Sequence, residues 1–232
     1  MPAGLDGNPD PIRSPARDAV LVAVARHIDS IQRETYCLVG VDGEAGSGKS
    51  TFADELAALL HSGGRSVVRS TVDSFHNPRA VRYRNGNSSG EGYYRDSHNL
   101  TVLIGGLLDP FSRGAPFRTA CFDAPSDRPV DARPESAAPA SILMFDGLFL
   151  HRPELRNRWD CSVFLDAPKR IADRRRGWEV GASLEDVATA RSRYVDGWQL
   201  YRREAEPAQA ATFVVLNEDF ANPEITRFPR ES

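Results

Sequence analysis

A chain of 232 residues, 41% hydrophobic and 26% charged, can bury one sizeable core and carry a small insertion. Its net charge of -3 gives no support to a nucleic-acid or membrane-surface role, and no apolar run approaches the roughly 20 residues of a membrane span. The N-terminus lacks a basic segment followed by an apolar core, so the expected location is cytoplasmic.

Residues 1–13 are rich in Pro and Gly and read as flexible. From Ser14 to Glu34, Val20, Val24, Ile28 and Ile31 recur at helical spacing. Tyr36 to Val41 reads as a buried strand, Lys49 to His61 as a helix ended by the glycines of "HSGGR", and Ser66 to Val72 as a second strand. The polar stretch Asn77 to Asn99 reads as loop, with a helix over Leu100 to Leu108. Phe117 to Phe122 and Arg128 to Asp131 flank the turn "DAPSD" as a small hairpin. "SILMFDG" (Ser141 to Gly147) has the continuous apolar character of a central parallel strand. A short helix near Pro153 to Arg158, a strand at Cys161 to Leu165, helices over Pro168 to Trp178 and Leu184 to Tyr201, and a last strand at Thr212 to Leu216 follow. Strands alternating with helices imply a parallel sheet covered on both faces. Cys37, Cys121 and Cys161 are widely spaced and odd in number, and read as reduced thiols.

Between the first strand and its helix lies "GEAGSGKS", Gly43 to Ser50, which fits G-x-x-x-x-G-K-[ST] in full. Glycines let successive backbone N–H groups converge on phosphate oxygens, and the helix N-terminus adds its positive end. The expected nucleotide-binding residues are Gly43, Glu44, Ala45, Gly46, Ser47, Gly48, Lys49, Ser50 and Thr51. Lys49 suits the β/γ-phosphates, and the Ser50 hydroxyl suits Mg²⁺. ATP and Mg²⁺ are the implied cofactors.

The chain has only two lysines, Lys49 and Lys169, and neither lies in the Asn-Lys-x-Asp segment with which GTPases read guanine. Asp146 is followed by Gly147 rather than by the second acid of motor ATPases. A small-molecule kinase fits better, because its nucleophile is a substrate hydroxyl. Asp73, at the end of the second strand, would share the edge of the sheet with the phosphate loop and could accept that hydroxyl's proton. Asp146, similarly placed, could hold Mg²⁺. In "PKRIADRRRGWE" Arg174 is the first choice for a lid cation over the transferring phosphoryl group, with Arg176 second.

In order along the chain, "GEAGSGKST", "VDSFHNPR", "EGYYRDS", "FRTACFDAPSDRPVD", "ILMFDGLFLHRPELRNRWDCSVFLDAP", "RRRGW" and "RYVDGWQLY" resemble the uridine kinase group of P-loop kinases, related to phosphoribulokinase and bacterial pantothenate kinase. The resemblance implies one α/β domain over 1–232, a three-layer α/β/α fold whose five-stranded parallel sheet runs in the order 2-3-1-4-5. It also implies an acceptor-binding loop and hairpin over 77–135, and a lid with its following helix over 168–200. It puts the catalytic base on Asp73, the lid arginine on Arg174 and the adenine near Asn217. The acceptor pocket would draw on His76, Arg79, Tyr93, Tyr94, Phe122, Asp123 and Asp127.

Departures from the group bear on the acceptor. The acid that holds ribose hydroxyls in uridine-cytidine kinases aligns near Tyr93, with Glu91 and Asp96 offset from it. The hairpin's base-reading tyrosine and histidine are replaced by Phe122 and Asp127, while Asp123 matches the acid between them. The expected reaction is phosphorylation of a small-molecule hydroxyl, first of uridine or cytidine. A pantothenate-like acid or a sugar is the alternative, since Arg79, Arg82 and Arg84 would suit an anionic acceptor. An ATP-binding regulatory module is the reading from another class. No nucleic-acid or membrane partner is expected, and a homo-oligomer stays open.

Overall fold

Strand β1 (Cys37–Gly43) is buried at every position, as a strand covered on both faces must be. The computed structural model describes residues 14–31, 36–167 and 184–229. Helix α1 (Pro15–Ser30) leads into β1, with Ser14 capping it by accepting a hydrogen bond from the Arg17 amide at 3.0 Å. After β1 come α2 (Lys49–Ser62), β2 (Val67–Thr71) and a 3₁₀ turn over Val72–Phe75. Short helices α3 (Arg79–Arg82), α4 (Gly90–Asp96), α5 (Leu100–Leu103) and α6 (Asp109–Ser112) follow, with one π turn, Ile104–Leu108, between the last two. The hairpin pairs β3 (Phe122–Asp123) with β4 (Arg128–Pro129). The chain then runs through β5 (Ile142–Gly147), β6 (Cys161–Asp166), α7 (Leu184–Ala205), α8 (Pro207–Ala210), β7 (Phe213–Leu216) and β8 (Glu224–Arg227).

The main sheet has six strands in the order β2-β5-β1-β6-β7-β8. Its first five are parallel, and β8 returns antiparallel to β7 as an edge strand that the five-stranded expectation omits. Side chains alternate between two layers. Val39, Val41 and Met144 face Val24 and Ile28 of α1 and Phe52 and Leu56 of α2. Leu38, Leu143 and Phe145 face the other way, onto Phe75, Leu103, Leu107 and Phe111. A third cluster joins Tyr93 and Tyr94 of α4 to Phe149, Phe164, Trp198 and Tyr201, where Trp198 stacks on Phe164 with a 7° interplanar angle.

Three further expectations are corrected. The 77–99 stretch contains α3 and α4 rather than only loop. Its glycines serve packing: a Cβ on Gly90 would meet Asp196 Cβ of α7 at 2.5 Å, and one on Gly197 would meet the Gly90 carbonyl at 2.7 Å. Residues 151–158 form successive turns, not a helix, with Arg152, Leu155 and Arg158 each donating a backbone hydrogen bond to the third residue before. The hairpin strands are shorter than expected, and Phe117 pairs instead with Glu135. Burial and the nearby Asp160 push the Cys37 thiol up to about 12, and burial pushes Cys161 up as well, in keeping with reduced core thiols. The expected helix at 168–178, with Arg174 and Arg176, lies outside the described residues. Among the described residues, no helix is long and apolar enough to cross a membrane.

Candidate active site

The phosphate loop lies where its motif requires, at the carboxyl end of β1 and the start of α2. Gly46 and Gly48 take φ of 84° and 91°, which a side chain would strain, and the Ser47 amide closes a turn on the Glu44 carbonyl at 2.9 Å. Among the described residues the buried Ser47 hydroxyl has no hydrogen-bond partner, a polar group left over inside the loop. Lys49 Nζ donates to the Glu44 carbonyl at 3.1 Å, so its ammonium arches over the turn. A helix N-terminus, glycine-shaped backbone and an arching lysine together fit a polyphosphate. A methyl at Gly48 would lie 2.6 Å from the Phe220 ring and 3.0 Å from Asn217 Nδ2. Gly48→Ala is therefore expected to weaken ATP binding at least about tenfold, read by calorimetric titration, through about 1–2 kcal/mol of left-handed strain and displacement of Phe220.

Beside the loop, a cleft of about 430 Å³ is lined by Ser50, Asp54, Arg69, Thr71, Asp73 and Asp146, with Ser70, Ser74, Thr119 and Ala120 completing it. The sheet register assembles it, because Asp146 pairs with both Val41 of β1 and Thr71 of β2, so three neighbouring strands end together. Ser50 Oγ donates to Asp146 Oδ2 at 2.8 Å. A hydroxyl and a carboxylate side by side next to the phosphate loop are an oxygen donor set that fits Mg²⁺. Asp73 stands exposed on the 3₁₀ turn, and among the described residues nothing donates a hydrogen bond to its carboxylate.

Sequence reasoning missed Arg69. Its guanidinium bridges Asp54 Oδ1 at 2.8 Å and Asp146 Oδ1 at 2.9 Å and donates to the Met144 carbonyl at 2.6 Å. An arginine on a short strand two residues before a strand-end pair reads as a surface residue, and only the register brings it to Asp146. His98, also missed, is buried opposite His76, and burial with His76, Arg152 and Arg82 nearby holds its pKa well below the usual imidazole value.

The expected acceptor residues are spread over several environments. His76, half-buried, adjoins Asp73, and its Nδ1 donates to the Asp73 carbonyl at 2.8 Å. Tyr93 and Tyr94 are buried in the aromatic cluster: Tyr93 meets Phe149 and Tyr194 edge-on, and Tyr94 lies beneath Arg152 at 4.9 Å. This is core packing, and Tyr94 is only 1% exposed. Asp96 accepts hydrogen bonds from Arg84 Nε and Asn85 Nδ2, both at 3.0 Å, whereas Glu91 pairs with Arg95 on the surface. On the hairpin Phe122 is buried. Ser126, through its hydroxyl first and then its amide, lowers the pKa of Asp123. Asp127, at φ 53°, accepts from the Arg79 amide at 2.7 Å and from Arg82 at 3.2 Å, tying the hairpin tip to the segment after Asp73.

Asn217 is fully buried and acts through its neighbours. Its Nδ2 donates to the Ser47 carbonyl at 2.7 Å, and its Oδ1 accepts from Arg17 of α1 at 3.4 Å. Arg17 also donates to Glu55 at 2.6 Å and to the Phe220 carbonyl at 3.0 Å, between the rings of Phe52 and Phe220. The segment after β7 is thereby fastened onto the phosphate loop. On the loop's other flank, Glu44, Asp166, Ala167, Trp198, Gln199 and Arg202 line a second cavity of about 340 Å³.

No family model matches the chain. It is 30% identical over 187 residues to a pantothenate kinase of Nitrobacter hamburgensis, covering 73% of this chain and 57% of that protein. The chain thus spans little more than half the length of that relative. A protein from Bacillus stearothermophilus described as a possible uridine kinase superposes with a TM-score of 0.71 at 24% identity, covering 85% of this chain and 97% of that one. A D-glycerate 3-kinase from Cryptococcus neoformans superposes with a TM-score of 0.59 at 15% identity, covering 90% and 97%. These two likenesses are of fold. In sequence and in fold together, the chain is similar to the uridine kinase-like group of P-loop kinases.

Proposed function

We propose that the chain transfers the γ-phosphate of ATP to a hydroxyl of a small molecule in the cleft between the phosphate loop and Asp73. The observation that carries this reading is the meeting of Ser50, Asp73 and Asp146 in one cleft beside that loop. Asp73 takes the acceptor's proton as its oxygen forms a bond to the γ-phosphorus, and the bond to the β-phosphate oxygen breaks to leave ADP. Lys49 and the loop amides neutralise the phosphates. When bound at Ser50 and Asp146, Mg²⁺ would spread charge over the β/γ oxygens. Arg69 holds Asp146 in place and offsets its charge, and Arg174 is the cation proposed to cover the transferring group.

The first acceptor class is a nucleoside, uridine or cytidine at its 5′-hydroxyl, on the strength of the group resemblance. A pantothenate-like hydroxy acid is the second reading. It is favoured by the name of the sequence relative, and Asp127, which stands in place of the base-reading histidine on the hairpin, is held by the Arg79 amide and by Arg82 rather than offered to a base edge. A panel of uridine, cytidine, pantothenate, glycerate and hexoses, scored for ADP release, separates these. Uridine or cytidine turnover is the expected result. Turnover of pantothenate alone overturns the nucleoside reading and leaves phosphoryl transfer standing.

A further inference from the structure

Immediately behind the proposed base, two backbone hydrogen bonds zip the chain into a short antiparallel ladder. The Asn99 amide donates to the Phe75 carbonyl at 2.7 Å, and the Asn77 amide donates to the Ser97 carbonyl at 2.9 Å. His76 and His98 therefore form the non-hydrogen-bonded pair between them, the closer kind of cross-strand pair. Their rings lie 4.7 Å apart. One ligand atom from each histidine and one carboxylate oxygen of Asp73 lie within 4.8 Å of one another.

The histidines are prepared as ligands. A carbonyl oxygen can only accept, so the His76 Nδ1 that contacts the Asp73 carbonyl carries the proton, and its Nε2 keeps the lone pair. Fixing one ring nitrogen on a carbonyl is how proteins orient metal-binding imidazoles. His98, only 3% exposed, has a buried Nε2 with no hydrogen-bond partner among the described residues. A buried polar nitrogen without a partner is costly, and a metal ion would satisfy it. The neighbouring guanidinium groups do not stand against a cation: Arg82 is paired with Asp127 and Arg152 with Glu154.

We propose that Asp73, His76 and His98 bind a divalent transition metal of the zinc type, distinct from Mg²⁺ at Ser50 and Asp146, and that occupancy shuts the enzyme off by taking Asp73 from proton transfer. Two imidazoles and one carboxylate with an open, solvent-facing position select zinc, cobalt or nickel over magnesium, which prefers an all-oxygen shell. The shut-off half of this inference rests on the phosphoryl-transfer reading, whereas the metal site does not.

The test is a titration of the full chain with Co²⁺, followed by visible absorption, with Zn²⁺ then added to displace it. One equivalent is expected to give the absorption of a four- or five-coordinate ion without a thiolate charge-transfer band. His98→Gln is expected to weaken binding by about 100-fold or more. His76→Gln, at a half-buried site that tolerates change, is expected to do the same, with circular dichroism confirming the fold of both variants. Absence of binding in the natural chain, a thiolate band, or an affinity in either variant equal to that of the natural chain overturns the site. With an acceptor that turns over, Zn²⁺ is expected to abolish ADP release despite excess Mg²⁺, and release that persists on the metal-saturated chain overturns the shut-off. Metal binding is read without turnover, so a failure of the transfer reading is distinguishable from a failure of the site.

Discussion

Asp73→Asn is expected to lower kcat by about 10²- to 10⁴-fold, the usual contribution of a positioned general base. ATP affinity should stay unchanged, because the proposed reading puts Asp73 on the acceptor side of the cleft and gives the phosphates to the loop and Lys49. The amide preserves size and the 3₁₀ turn, whose Asp73 amide donates to Thr71 Oγ1 at 3.4 Å. What is lost is the negative charge and, with it, the ability to accept a proton. Steady-state turnover beside a calorimetric ATP titration separates the two effects, and a variant that turns over normally would remove Asp73 from the chemistry.

Asp42→Ala is expected to be the most destabilising single change. This fully buried carboxylate, one residue before the phosphate loop, accepts from the Gly43 amide at 2.7 Å, from the His151 amide at 3.2 Å and from His151 Nδ1 at 2.7 Å. It also accepts from the Tyr201 hydroxyl, and burial first, then Asp42, pushes the Tyr201 pKa well above its ordinary value. His151 Nδ1 carries the proton it donates to Asp42, Nε2 and Ser162 Oγ share a hydrogen bond at 3.0 Å, and that hydroxyl accepts from the Thr212 amide at 3.2 Å. Removing the hub strands several donors in a dry interior, a loss of about 3–5 kcal/mol. At this chain length that lowers the melting temperature by about 10 °C. Tyr201→Phe, which removes one hydroxyl, should cost about 1–2 kcal/mol. Thermal melts check both, and an unaltered melt for Asp42→Ala would show that the network carries no stability.

The hub also shows what the sequence could and could not convey. The phosphate loop was legible because its chemistry needs residues in fixed succession, and β1 and α2 on either side announce themselves by apolar spacing. Asp73 and Asp146 were legible as strand-end acids, since parallel strands bring their carboxyl ends to one edge. The partners of Asp42 were not, because Tyr201 and His151 stand far along the chain and read as ordinary aromatic positions. Arg69 was hidden for the same reason, becoming a site residue only through the pairing of β2 with β5. In "EGYYRDS" glycine signalled loop, although Gly90 serves the close approach of α4 to α7, which places both tyrosines in the core. The strand β8 carries alternating partly buried and exposed residues over only Glu224–Arg227, too short a run to stand out. His98 gave no signal at all, because its partner is set by two backbone hydrogen bonds between segments separated by α3 and α4.

The central claim is that this cleft passes phosphate from ATP to carbon-bound oxygen rather than to water. Phosphorus NMR of the natural chain with Mg²⁺, ATP and the acceptor panel tests it directly. The account predicts that the γ-phosphate signal is replaced by a phosphomonoester in step with ADP, and that Asp73→Asn suppresses it. Inorganic phosphate as the sole new signal, or ATP bound and unchanged with every acceptor, would contradict it.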